Sequence, residues 1–322
     1  MKGHARLGKQ GYILVVRTPR RDEKTGKKTY RVKERIPLID LEMLVVVGSH
    51  VSISTGLLLA LAKAGIPVLI HGREAEAMMH TPFLQATADA RIAQVKALET
   101  QTALEIAKQF IEAKTRGLAN LANYLAQRSQ GDTSAPRTLR QEARKRIPAA
   151  KNPRELLSVE AELTKKAWNM LRQYIPQEYG FTARNPHAGD PINSAINYTY
   201  AILYTLATHA LTAAGLDPHI GFLHTNRPAR KSLVYDYTEQ FKPLAVHAVI
   251  TAARKHHLQT SEDGYLTADS LEKVTRTIHI LLKRKPTGRT QTNRAYIYTK
   301  AWELRNTLTK ATKYTPYIYN PH

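Results

Sequence analysis

The hydrophobic pattern of this chain changes period once, near residue 80, and that change limits the folds open to it. Before it, apolar residues come in short runs or alternate in twos. Tyr12-Ile13-Leu14-Val15-Val16 predicts a strand, and Tyr30 to Ile36 alternates Tyr/Val/Glu/Ile against Arg/Lys/Arg, as a half-exposed strand does. Between them, residues 17–35 hold nine Lys/Arg and three Asp/Glu and carry turn chemistry at Thr25-Gly26, which reads as a long basic hairpin. Met43 to Val47 is an expected buried strand. Residues 56–64 predict an apolar helix, capped by Ser54 or Thr55 and ended by Gly65. Pro67 to Ile70 returns as a strand, and His71-Gly72-Arg73 closes the unit.

From about residue 81 the spacing is 3.6. Residues 82–128 predict one or two long helices, 131–136 a loop, and Leu156 to Tyr174 a further helix. A Gly/Pro loop at 180–192 precedes a strongly apolar helix at 193–214. A second loop at 215–231 ends at Ser232, the expected cap of the next helix. The expected fold class is α+β: a small β-rich N-terminal domain, residues 1–80, followed by a larger all-α domain, residues 81–322.

Charge narrows the function. Lys and Arg number 48 against 26 Asp and Glu, a net charge of +22, and a surface so basic points to nucleic acid. Two further basic clusters lie at 137–154, with seven Lys/Arg to one acid, and at 283–314, with nine to one. The absence of cysteine excludes disulfide scaffolds, thiolate nucleophiles, thiolate zinc sites and iron–sulfur clusters. No run approaches the ~18 apolar residues of a membrane span. The polar N-terminus has no apolar signal core, so a cytoplasmic protein with no membrane partner is expected. Walker A, G-x-G-x-x-G, H-E-x-x-H and G-x-S-x-G motifs are all missing.

Carboxylates, histidines and hydroxyls remain as carriers of chemistry. Asp236 and Glu239 are three apart in a helical stretch, a spacing that puts both on one face. His224 ends the apolar loop Gly221-Phe222-Leu223-His224, and Glu160 sits on an amphipathic helix with Trp168 two turns on. Each has a plainer account. Acids early in a helix suit its dipole, a lone histidine is usually structural, and Glu160 has Glu155 and Glu162 nearby. On spacing alone, His209, His219, His247, His256 and His257 compete with His224. Tyr198, Tyr200 and Tyr204 read as core. Tyr296, Tyr298, Tyr314, Tyr317 and Tyr319 interleave with Lys/Arg, either to stack on nucleic acid or to dock the C-terminal segment.

These residues, taken jointly, resemble the CRISPR-associated integrase family, the catalytic subunit of the spacer-acquisition complex. The match runs over nearly the whole chain. Val51-Ser52-Ile53-Ser54-Thr55-Gly56 with Gly65-Ile66-Pro67-Val68 resembles that family's strand–helix–strand segment. Glu160-Ala161 with Trp168 resembles its "I-E-G … Y-W" helix, and Asp190-Pro191-Ile192-Asn193 with Tyr200 to Tyr204 its "D-P-v-N … Y-a-l-L-Y" helix. The loop Ala214 to His224 is a near-complete match, and Ser232-Leu233, Asp236, Glu239, Phe241 and Pro243 complete the signature. Three positions depart from the pattern. Ala161 replaces a glycine, 184–189 carries one Arg fewer, and Lys242 replaces an arginine, keeping the charge without the bidentate fork.

The resemblance implies a metal-dependent DNA integrase and endonuclease of CRISPR adaptation, inserting spacer DNA into the repeat array by 3′-hydroxyl transesterification. It implies catalytic Glu160, His224, Asp236 and Glu239, with Glu160, His224 and Glu239 holding Mg²⁺ or Mn²⁺ and Asp236 in or beside that set. Arg184, Arg227, Arg230 and Lys242 are the expected DNA-binding residues. Expected partners are double-stranded and branched DNA, a second copy of the chain paired through its N-domain, and the small ferredoxin-like acquisition subunit. The apolar run 43–70 serves as a dimer face or as sheet core. A plain structure-selective nuclease, a non-catalytic DNA scaffold and a transposon-borne relative stand as alternatives. The last is disfavoured by the short stretch after the helical domain.

Overall fold

A computed structural model describes residues 5–21, 28–41, 44–47, 51–64, 66, 68–71, 76–79, 87–228, 230–286 and 288–321. The chain divides into two compact units, Met1–Gln85 and Ala86–His322.

The first unit is built on two small sheets. Strands β1 (Ala5–Gln10), β2 (Ile13–Arg21), β3 (Lys28–Pro37) and β5 (Val51–Ile53) form one, in the order β3-β2-β1-β5. Its pairings are antiparallel except β1 with β5, which is parallel. The basic arms pair as far as Arg21 with Lys28, past a bulge at Val16/Arg17. The Thr25-Gly26 turn lies outside the described residues. Strands β4 (Leu44–Val47), β6 (Val68–His71) and β7 (Glu76–Met79) form the second sheet, parallel then antiparallel. The unit therefore does not close at residues 71–73: β7 adds an edge strand whose mixed Glu-Ala-Met-Met sequence carries no period of two.

Between β5 and β6 lies α1 (Thr55–Lys63), capped by Ser54, whose hydroxyl accepts the Leu57 N–H. The Gly65 stop lies outside the described residues. Leu57 and Leu61 pack with Leu7, Leu14, Leu38, Val46, Ile66 and Val68 in one core. Most of the described apolar residues of 43–70 are thus core. Leu59, 72% exposed, is an exception.

The second unit is helical. Among the described residues it carries α2 (Thr87–Leu98), α3 (Gln101–Arg128), α4 (Ser134–Ala149), α5 (Pro153–Leu171), α6 (Pro191–Ala213), α7 (Ser232–Thr238), α8 (Lys242–Lys255), α9 (Ala268–Lys283) and α10 (Asn293–Lys310). The expected loop at 131–136 gives way at Ser134, because Asp132 accepts the Ser134 N–H and starts α4 early. Asn152 and Asp190 cap α5 and α6, each followed by a proline at a position where no helix hydrogen bond is lost. Ser232 is not a cap. It is the first helical residue of α7, buried, with its hydroxyl donated to the Thr225 carbonyl.

Helix α3 is the axis of this unit. Buried residues recur along it from Ala103 to Ala126, and it meets α4, α5, α8 and the tight turn after α7. At Gly117 a β-carbon would come within 2.8 Å of Pro243 Cγ, so only glycine lets α3 approach the start of α8 this closely. Tyr314, Tyr317 and Tyr319, in the segment after α10, are buried, so these three dock that segment. Tyr314 lies edge-on to Phe110 of α3, and the Tyr319 carbonyl accepts from Asn120. Among the described residues no helix is long and apolar enough to cross a membrane.

Candidate metal centre

Three segments of the helical unit bring the acids together. Glu160 projects from α5, and Thr164, one turn on, donates its hydroxyl to Glu160 Oε1. Glu239 opens a single tight helical turn, Glu239–Phe241, between α7 and α8. Lys114 lies between them on the buried face of α3. Its ammonium donates to Glu160 Oε1 and stands 2.8 Å from Glu239 Oε2. Lys242, at the start of α8, donates to the other oxygen, Glu239 Oε1, at 2.6 Å.

The electrostatics follow from that contact set. Burial alone would raise the Glu239 carboxyl. The ammonium groups of Lys114 and Lys242 outweigh it and hold the group down at about 2. Burial likewise opposes the charge on Lys114, and Glu239 and Glu160 reverse that, lifting it above the ordinary lysine value. Glu239 Oε2 is the less completely satisfied oxygen of the group. It is buried and close to Lys114, yet makes no well-directed hydrogen bond.

Asp236 and His224 form a second group. Asp236 is fully buried, and its Oδ2 accepts the N–H groups of Phe222 at 2.6 Å and Leu223 at 2.8 Å. Oδ1 accepts the His224 N–H at 3.1 Å and the His224 ring Nδ1 at 2.5 Å. The carboxylate thus fixes both the loop and the imidazole, leaving Nε2 without a hydrogen bond. Gly221 makes this approach workable, since a β-carbon there would lie 2.6 Å from Asp236 Oδ2. Gln94 of α2 ties the same loop from behind, donating to the Asp217 and Ile220 carbonyls and accepting the Asp217 N–H.

Neither acid is the solvated, dipole-serving residue of the plainer account. Asp236 and Glu239 also serve different partners, because the helix tightens at Glu239. Among the described residues no three His, Asp or Glu side chains stand close enough to hold an ion together. The structure joins Glu160 to Glu239 and His224 to Asp236. Four of the five rival histidines are occupied elsewhere: His209 with Tyr298, His219 with Asp217, His247 with Tyr319, and His257 stacked on Tyr179.

A cavity of about 460 Å³ opens beside the carboxylate pair, lined by Lys114, Thr164, Trp168, Arg184, Tyr200, Tyr204 and Lys242 among others. Arg184 and Lys242 both lie over the Tyr200 ring, 5.6 and 5.1 Å from its centroid. Arg184 also donates to Asn193 and Asn197 of α6. Two of the four expected DNA-binding residues are therefore in this cavity. Arg227 is exposed on the loop after His224, and Arg230 lies over Tyr235. Tyr200 and Tyr204 are wall residues here, not core alone. Lys114 was not singled out by sequence reasoning. Its signal is a lone lysine among Phe110, Ile111, Ala113, Gly117 and Leu118, since a charge on an apolar helix face requires a buried partner.

A cation held between two carboxylates, next to a basic cleft with aromatic walls, fits the class of proteins that work on phosphodiesters. The chain belongs to the Cas1 family: the family described as CRISPR associated protein Cas1 matches residues 1–279. A relative from Hyperthermus butylicus named CRISPR-associated endonuclease Cas1 is 34% identical over 297 residues, 87% of this chain and 88% of its own length. One from Pyrobaculum aerophilum, named CRISPR-associated endonuclease Cas1 2, is 31% identical over 265 residues, 81% and 83% of the two chains. Among solved structures, a casposase bound to integration product superposes with a TM-score of 0.80 at 26% identity, covering 98% of this chain and 91% of that one. A Cas1 protein from Thermotoga maritima shares the fold, with a TM-score of 0.73 at 18% identity and 96% of each chain covered.

Proposed function

We propose that this chain is a metal-dependent DNA integrase and endonuclease of CRISPR adaptation, joining a 3′-hydroxyl DNA end to a repeat by direct transesterification. The observation that carries the reading is the pair Glu160 and Glu239, turned toward one cation at the edge of a basic, tyrosine-lined cavity. Two carboxylates, one of them with an oxygen that lacks a directed hydrogen bond, and an imidazole with Nε2 available make a donor set suited to Mg²⁺ or Mn²⁺. Glu160 and Glu239, which already share one cation, would hold the ion, and the family resemblance adds His224, which the structure does not group with them. When bound, it supplies neutralising charge at the phosphate and at the entering and leaving oxygens.

The chain's own groups do the rest. Asp236 holds His224 in one orientation through Nδ1. Arg184 and Lys242 receive phosphate oxygens, and Tyr200 and Tyr204 present rings to the adjoining nucleotides. In the reaction the donor 3′-oxygen forms a bond to the repeat phosphorus. The bond from that phosphorus to the repeat's own 3′-oxygen breaks, and the proton lost by the donor balances the one gained by the leaving hydroxyl. Water in place of the donor gives hydrolysis, so cleavage is expected from the same site. Pairing of two chains through the N-terminal unit, and a complex with the small ferredoxin-like subunit, belong to the same proposal.

The likeness to a casposase favours joining over cleavage alone. The test is a strand-transfer assay with a labelled 3′-hydroxyl duplex and a supercoiled repeat plasmid, in Mn²⁺ or Mg²⁺, with and without the small subunit. Label joined to plasmid, and lost in Glu160→Ala, His224→Ala and Glu239→Ala, supports the proposal. Cleavage without joining supports a nuclease, and tight binding with neither product supports a scaffold. Joining only of a transposon end supports the transposon-borne reading.

A further inference from the structure

We propose that Lys114 is the resident counter-cation of this site: its ammonium holds the position that a divalent ion shared by Glu160 and Glu239 takes, and the ion enters by displacing it. This rests on the metal reading above.

Three observations carry it. Lys114 is in contact with a carboxylate oxygen of each acid, and both acids lie far from it in sequence, so the contact is a product of the fold and not of helix spacing. The pairing is complete without any ion. Glu160 and Glu239 carry two negative charges, and Lys114 and Lys242 two positive ones. Adding a divalent ion with both lysines in place would set four positive charges against two negative in a buried space. Finally, the two lysines divide Glu239 between them. Lys242 holds Oε1, and Lys114 holds Oε2, the oxygen without a directed hydrogen bond.

Lys114 also has somewhere to go. It lines the cavity together with Thr164, Tyr200 and Lys242, and a lysine's compact charge on a four-carbon stem can swing toward that opening. In the metal-free protein the lysine keeps two like charges, the buried Glu239 and the half-buried Glu160, from repelling one another. The consequence is that ion binding is a competition, with the fold's own charge as competitor.

The experiment compares wild type with Lys114→Met and Lys114→Gln, without DNA. Calorimetric titration with MnCl₂ reads affinity, and thermal unfolding with and without Mn²⁺ reads stability. Both variants should melt below wild type when metal-free. Both should bind Mn²⁺ at least about tenfold more tightly and gain more on adding it. Equal or weaker Mn²⁺ affinity in the variants, with wild-type binding measured, overturns the proposal and leaves Lys114 a structural ion pair. No Mn²⁺ binding by wild type or either variant overturns the metal reading itself, and this proposal with it. If neither variant folds, amine acylation of wild type read by mass spectrometry decides. Lys114 should react faster once Mn²⁺ saturates the protein, and unchanged reactivity overturns the proposal.

Discussion

Asp236 and Glu239 are three residues apart and both buried, yet the fold stabilises them in opposite ways. Asp236 is held by directed bonds from three backbone N–H groups and one imidazole, all from a single loop. Glu239 is held by two ammonium groups on flexible stems, one from α3 and one from α8. The first arrangement fixes geometry and cannot exchange its partners without unmaking the loop. The second supplies charge that another cation can replace. A site needs both: a rigid acid to aim the histidine, and an exchangeable one to take a ligand.

Four measurements break or sharpen that contrast. Asp236→Ala strands three buried N–H groups and frees the imidazole, and should cost about 4 kcal/mol in urea unfolding. A small loss would mean the loop holds itself. Glu239→Gln should do the reverse, lowering strand transfer on the order of 10²–10³-fold while moving the melting temperature far less. A large melting shift with activity kept would erase the distinction between the two acids.

A third kind of buried group gives the reference case, one with no charged partner in direct contact. Burial and the nearby Arg284 cation push His247 down to about 4, and its Nδ1 meets the Tyr319 hydroxyl at 2.6 Å. The folded chain therefore binds fewer protons than the unfolded one between about pH 6.5 and pH 4. Stability is full above that window and falls as pH drops through it, by about 3 kcal/mol in all. In His247→Asn that part of the pH slope should vanish, and a slope left unchanged would assign it to other groups. The smallest effect is expected at exposed Arg227. Arg227→Ala should leave stability within about 0.5 kcal/mol and lower the salt slope of DNA binding by about 1. An unchanged slope would remove this arginine from the DNA path.

What the sequence made legible was local. Ser54, one of two expected caps, caps α1, and the loop ending at His224 stands out with Asp236 and Glu239 after it, whereas α6 starts at Pro191, two residues before the expected start, because Asp190 caps it. The change of period near residue 80 falls a few residues before the division between Gln85 and Ala86. What stayed hidden was set by distant partners. Strand β7 exists because β6 offers it an edge, not because its own residues alternate. Ser232 lost its cap role to a bond with Thr225. Lys114 takes its meaning from acids on two other helices, and Gln94 from a loop beyond α6. No local pattern encodes such pairings, although a polar residue on an apolar helix face signals that one must exist.

The central place of α3 has a consequence for the order in which the molecule forms. The contacts that build the site join residues 46 positions apart at Lys114–Glu160, 123 at Gln94–Asp217, and 199 where α3 anchors the buried tyrosine segment at Asn120–Tyr319. The two longer contacts form late, because long loops must close before they repay the lost entropy. Helices α4 and α5 can therefore fold onto α3 while Glu239 is still far from Glu160. A half-folded chain carries both acids without the ion pairs that join them, so the site itself arrives with the last closures of the fold.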